Sequence, residues 1–143
     1  MAQSNHERVG RALEILNKGL KPFIEREMQA EYGDRWQQEA LRSLREQHIS
    51  SDGEPSHLDT QGLLLIMWDQ WHPVFRDVLG HAERSFVSEL RETRNKWAHQ
   101  KAFSTDDVYR TLDTIQRLLT SISAEEAQEI ERQKQEVLRI RFE

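Results

Sequence analysis

The chain has no cysteine. That excludes disulfides, thiolate metal sites and a thiol nucleophile, and it fits a reducing, cytoplasmic setting, which is the expected location. Proline and glycine are scarce, three and six residues in 143, which leaves little material for the many turns of an all-β fold. Long hydrophobic runs are missing as well. The most apolar stretch, Leu63 to Trp68, is closed by Asp69 and is far too short to span a bilayer. No segment resembles a signal peptide, so no membrane association is expected. Nor is there an excess of positive charge. The formal net charge of -5 at pH 7 argues against the broad phosphate-tracking surface of non-specific DNA binders. A nucleic-acid substrate has to be met by a local cluster.

What is present is a polar, amphipathic chain: 36% hydrophobic and 31% charged residues, the balance of a helical bundle whose helices each expose a charged face. Its length suits one domain, 1–143, divided into a bundle over 1–122 and a peripheral or linker helix over 123–143. Ser4-Asn5-His6-Glu7 reads as a capping box, followed at helical spacing by Val9, Leu13, Leu16 and Leu20. Gly19 and Pro22 are expected to kink or break this helix, after which Phe23 to Tyr32 resumes it and Gly33 ends it. Asp34 can cap a second helix through about Gln47, with Trp36, Ala40, Leu41 and Leu44 inward. Residues Ile49 to His57 form the one convincing long loop.

A third helix starts at Asp59 or Thr60. It is apolar nearly all round from Leu63 to Trp68, which marks it as the most buried. Pro73 is expected to kink it, and Gly80 separates it from a fourth helix, His81 to about Gln100. Ser104-Thr105-Asp106-Asp107 caps a fifth, carrying Val108, Leu112, Ile115, Leu118, Leu119 and Ile122. Ser123-Ala124-Glu125-Glu126 reads as a capping box for a last, mostly charged helix with a thin stripe of Ala127, Ile130, Val137 and Ile140. The fold class is all-α: a bundle of four to five main helices plus a charged C-terminal helix.

Six histidines invite metal ligation, but none forms an i, i+4 pair that sets two imidazoles on one helix face. Scattered surface histidines are the better reading, and neither a metal nor a cofactor is expected. No strand leads into a phosphate loop, and no serine sits in a nucleophile elbow. Trp68 and Trp71 lie three apart on the most buried helix, and Trp36 and Trp97 fall on apolar stripes of theirs, so packing explains all four.

That leaves Arg94-Asn95-Lys96-Trp97-Ala98-His99. At ~100° per residue, Phe86, Leu90 and Trp97 form one apolar stripe, Arg94 lies roughly 60° from it, and Asn95 and His99 roughly 160°. A permanent cation, an amide and a titratable imidazole therefore share the polar arc of one or two turns. Imidazole, with an unperturbed pKa of ~6.5, can exchange protons with a ribose 2′-hydroxyl. Guanidinium can stabilise charge building on phosphate oxygens, and Asn can orient either.

This segment and its setting resemble the HEPN superfamily, all-α bundles marked by Arg-x(4–6)-His, often with Asn directly after the Arg. The spacing alone is weak: chance gives about two matches in such a chain. Arg42…His48 and Arg76…His81 fit it as well. Only Arg94…His99 also carries the Asn. The stretch Asn5 to Glu27 further resembles the branch at the front of large bacterial ATPase or helicase-like phage-defence proteins.

The resemblance implies a metal-independent endoribonuclease. His99 would act as general base or acid, Arg94 as phosphate clamp and Asn95 as orienting residue, in a cleft shared by two subunits. Lys96 and Lys101 are candidates for positioning RNA phosphates. Arg94 and His99 diverge by roughly 140° on one helix, so a two-fold axis joining the Arg of one chain to the His of another suits them better than a single copy. The expected partners are a second copy, RNA and the remainder of a larger ATPase-like polypeptide. A reading of another class stays open: a non-catalytic HEPN module that dimerises, or binds nucleotide or RNA. In that case Arg94 bridges to a carboxylate such as Glu89 or Glu92, and His99 only caps its helix.

Overall fold

A computed structural model describes residues 3–47 and 59–142, with the side chain of Gln47 excepted, and every regular element among them is helical. The first helix, α1 (Asn5–Tyr32), touches every other helix of the bundle. Ser4 caps it: its hydroxyl accepts from the Glu7 N–H at 3.1 Å and donates to the Glu7 carboxylate at 3.2 Å.

The break expected at Gly19 and Pro22 does not occur, and α1 runs on through both. Pro22 is exposed and forfeits one backbone hydrogen bond, which costs about 3 kcal/mol. Leu16, Leu20, Ile24 and Met28 are buried on the inner face, and each contributes about 1.5–3 kcal/mol. Burial outweighs the lost bond. Gly19 marks a close helix crossing, since a Cβ there would meet Leu119 Cδ2 at 2.5 Å.

Gly33, at φ 59°, ends α1, but Asp34 does not cap the next helix. Residues Gly33–Arg35 form a 3-10 turn that leads directly into α2 (Trp36–Gln47). Ala40 and Leu44 are buried as expected, whereas Leu41 is 42% exposed. Its neighbour Ser43 is buried instead. The Ser43 hydroxyl accepts from the Gln70 amide at 2.8 Å, and the Gln70 oxygen accepts from the Tyr32 hydroxyl at 2.6 Å. That chain ties α1 and α2 to the end of the third helix, so a polar residue wins the inward position because its hydrogen bonds are satisfied there. The loop expected over 49–57 lies outside the described residues.

The third helix, α3 (Thr60–Asp69), is capped by the Asp59 carboxylate, which accepts from the Gly62 N–H at 2.7 Å. Six consecutive residues, Gly62 to Met67, are buried, as its all-round apolarity implies. Pro73 does not kink α3, because the helix has already given way to turns over 70–74 and a 3-10 turn, Phe75–Asp77. Leu79 is buried there, but Val78 is 48% exposed. Then come α4 (His81–Ala98) and α5 (Thr105–Ser121). Ser104 and Asp107 form the expected reciprocal box on α5, with bonds of 3.0 and 2.9 Å.

The box expected at Ser123–Glu126 does not form. Ser123 takes φ 58°, and α6 (Ala127–Arg141) begins without a side-chain cap. This charged helix lies along α5 in the most extensive pairing of the bundle. It buries Ile130, Gln133 and Val137, while Ile140 remains exposed. Lys134, with only 14% of its side chain exposed, reaches Asp113 at 3.1 Å and Gln116 at 2.6 Å on α5.

Candidate active site

The site is built at the C-terminal end of α4. Val87 and Leu90 are buried, and Phe86 and Trp97 pack half-buried against the core, which fixes the rotation of the helix. Its end is equally well defined. Gln100 takes the left-handed conformation at φ 57°, its N–H donates to the Trp97 carbonyl at 3.1 Å, and the Lys101 N–H donates to the Lys96 carbonyl at 2.9 Å. This is a Schellman closure with His99 as C-cap residue. It completes the last turn without glycine, the residue usually found in that position.

A clasp from α1 holds the same turn. His6 stacks on Trp97 with ring centroids 5.3 Å apart and an interplanar angle of 12°. The Trp97 indole N–H donates to the His6 carbonyl at 3.2 Å, and His6 Nε2 lies 3.1 Å from the Trp97 carbonyl oxygen. Beside it, the Asn5 amide donates to the Phe103 carbonyl at 2.9 Å. Gly10 makes room for the indole, since a Cβ there would come within 2.9 Å of Trp97 Nε1. His6 is thus half-buried and engaged, not one of the scattered surface histidines expected. Nothing in its local sequence signals this.

On that frame Arg94 is half-buried, and Asn95 and His99 are exposed. Among the described residues, none of the three side chains has a hydrogen bond or ion pair. The bridge from Arg94 to Glu89 is absent. Glu89 instead pairs with Arg110 at 2.7 Å and accepts from the Thr114 hydroxyl at 2.6 Å.

Arg94 and Asn95 line a cavity of about 30 Å³ between α3 and α4, together with Gln61, Leu64, Leu65 and Arg91. No acidic residue among the described ones lines it. His99 lies outside that lining, so one copy does not bring Arg94 and His99 to a common cavity. Lys96 faces a different cleft, of about 210 Å³ between α4 and α5, in the company of Glu89, Glu92, Asp107 and Arg110. Lys101 is exposed just past the helix end.

The decoy Arg76…His81 lies at the other end of α4, and His48 of the second decoy is outside the described residues. Among the described residues no three His, Asp or Glu side chains converge as a metal-binding set. None of the described helices is long and apolar enough to cross a membrane.

The family model described as Swt1-like HEPN matches residues 11–123. The chain belongs to this HEPN family. The matched stretch holds the whole of α2 to α5, including the Arg94–His99 turn, whereas His6 and Asn5 of the clasp precede it. No curated protein and no solved structure matches the chain.

Proposed function

We propose that this HEPN domain is a metal-independent endoribonuclease that cleaves RNA at a site shared between two copies of the chain. One observation carries the reading: Arg94, Asn95 and His99 lie within the last turns of one rigidly terminated helix, and no intramolecular bond among the described residues occupies any of them. A cation and an imidazole held ready and unspent are what phosphodiester cleavage needs.

His99 takes the proton from the ribose 2′-hydroxyl, whose oxygen attacks the adjacent phosphorus. Arg94 neutralises the charge building on the non-bridging oxygens, and Asn95 orients the phosphate or the imidazole. The bond from phosphorus to the 5′-oxygen breaks and that oxygen takes up a proton from solvent water, leaving a 2′,3′-cyclic phosphate and a free 5′-hydroxyl, while the His99 imidazolium returns its proton to solvent. Imidazole and guanidinium supply every charge this step requires.

The geometry of a single copy supports pairing about a two-fold axis, since Arg94 and His99 point roughly 140° apart on one helix. The absence of His99 from the Arg94 cavity is in keeping with it. Lys96 and Lys101 contact the strand beyond the scissile phosphate. Attachment to a larger ATPase-like polypeptide, and a role in phage defence, rest on the resemblance of the N-terminal stretch and belong to the same proposal.

The test is purified chain with total RNA and a chelator, beside Arg94→Ala and His99→Ala. Cleavage to cyclic-phosphate ends by the unaltered chain, lost in both variants, is expected. Cleavage that survives both substitutions contradicts the residue roles. A stable dimer that cleaves nothing favours the non-catalytic module.

A further inference from the structure

Two more cations extend from this site along the seam of α3 and α4. The Arg84 guanidinium lies 4.7 Å from the ring centroid of Trp68 and 5.9 Å from that of Trp71, and Arg91 lies 5.4 Å from Trp68. Arg84 Nε is buried without a hydrogen-bond partner. Arg91 lines the Arg94–Asn95 cavity, and burial pushes its guanidinium below the usual value. No carboxylate among the described residues pairs with Arg84, Arg91 or Arg94.

Other arginines do find carboxylates, as Arg42 does in Glu39 and Glu46, Arg110 in Glu89 and Arg117 in Asp113, and the described arginines without one outside this seam are not set against aromatic rings as Arg84 and Arg91 are. In a chain of net charge -5, three half-buried cations along one seam, with no counter-charge among the described residues, are placed to receive an anion.

We propose that Arg84 and Arg91 extend the Arg94–Asn95 site into a phosphate track that positions a single RNA strand along the α3–α4 seam. The proposal rests on the reading of this turn as an RNA site and adds its substrate-positioning residues. Spacing supports a strand. At 1.5 Å per residue, Arg84 and Arg94 are about 15 Å apart along α4, with Arg91 between them and within roughly 20° of Arg84 around the helix.

That span covers about four stacked nucleotides at ~3.4 Å each, a site size typical of single-strand binding. Chemistry supports phosphate. A guanidinium held over an aromatic face keeps its N–H edges free for a planar, forked contact with phosphate oxygens, which an ammonium cannot make. Arg91 lines the same cavity as Arg94 and Asn95, with no acidic residue among the described lining, which joins the track to the phosphate clamp.

The experiment measures binding of a short single-stranded RNA bearing 2′-O-methyl groups, which the proposed chemistry cannot cleave, as a function of salt. The full chain is compared with its Arg84→Gln/Arg91→Gln and Arg84→Lys/Arg91→Lys variants. Loss of two phosphate contacts lowers the magnitude of the log–log salt slope by about 1.4 and weakens binding at low salt on the order of tenfold. That is expected of the Gln pair, while the Lys pair keeps the slope.

An unchanged slope in a folded Gln pair overturns the track. So does loss of self-association with the slope intact, which would assign these cations to a partner's carboxylates. If the Gln pair loses its helical circular dichroism, modification of the unaltered chain by an arginine-directed dicarbonyl decides. Shielding of Arg91 by the RNA supports the track, and equal labelling with and without RNA overturns it. Cleavage of unmodified RNA separates the two levels. A changed slope with no cleavage leaves the track standing and the nuclease reading fallen, and cleavage with an unchanged slope does the reverse.

Discussion

Arg94 and His99 make no hydrogen bond or ion pair among the described residues, so truncating either removes chemistry at little cost to the fold. Arg94→Ala and His99→Ala should unfold within about 0.5 kcal/mol of the unaltered chain, while RNA cleavage falls on the order of 10²–10⁴-fold. Thermal melts run beside the cleavage assay check both halves. Gln100 is the opposite case. Its φ of 57° holds a side chain in the left-handed region, so Gln100→Gly should stabilise the chain by about 0.5–1 kcal/mol, as seen in a raised midpoint of urea unfolding.

At this scale the motif was legible in the sequence because Arg94, Asn95 and His99 are near neighbours on one helix. His6 was not. It meets Trp97 across 91 positions, and no periodicity spans that separation. Arg91 and Arg84 were equally hidden, because an arginine seven residues from another reads as solvated surface until the indole between them is placed.

At the scale of elements, the closure of α4 depends on what α1 brings to it. The Trp97 indole already donates to the His6 carbonyl and cannot swing away freely. Gly10→Ala should therefore cost about 1–3 kcal/mol and weaken cleavage, because it pushes on the turn that carries His99. A melt that does not move would show that α1 yields there. The α5–α6 pairing has a polar latch as well as an apolar stripe. Lys134→Met removes the bonds to Asp113 and Gln116 and should destabilise the chain by about 1–2 kcal/mol in chemical denaturation.

Helix ends were less legible than helix bodies. Asp59 and Ser104 cap as their sequences suggest, yet Ser123 does not, because the chain must turn sharply to lay α6 along α5 and Ser123 is spent on that turn. The uninterrupted α1 teaches the same thing. A local rule about Pro22 gives way when the helix buries enough apolar surface on both sides of it.

At the scale of the whole molecule, the fold class was readable because the amphipathic periods and the all-round apolarity of α3 point to one answer. The exchange of Leu41 for Ser43 in the interior was not, since it depends on Gln70 and Tyr32 arriving from elsewhere. Charge organisation sets the acid limit.

Hydrogen bonds from the Ser104 backbone and hydroxyl hold the Asp107 carboxyl below its ordinary range. Burial works against ionisation of Asp113, but bonds from Arg117 and Lys134 outweigh it and hold that group low too. Groups depressed in the fold contribute stability that is complete above the unfolded value near ~4 and is lost as pH falls through the folded values. Thermal stability should therefore be flat from neutrality down to about pH 5 and decline below about pH 4, which a pH series of melts reads directly.

The composite site is the central claim, and mixing tests it most directly. Arg94→Ala and His99→Ala chains, each inactive alone, are unfolded together, refolded and assayed on RNA. If the Arg of one copy works with the His of the other, mixed dimers each hold one intact site. Activity should then return to about a quarter of the unaltered rate, since half of randomly paired dimers are mixed and carry one site of two. Mixed dimers that form and stay inactive contradict a site shared between two chains.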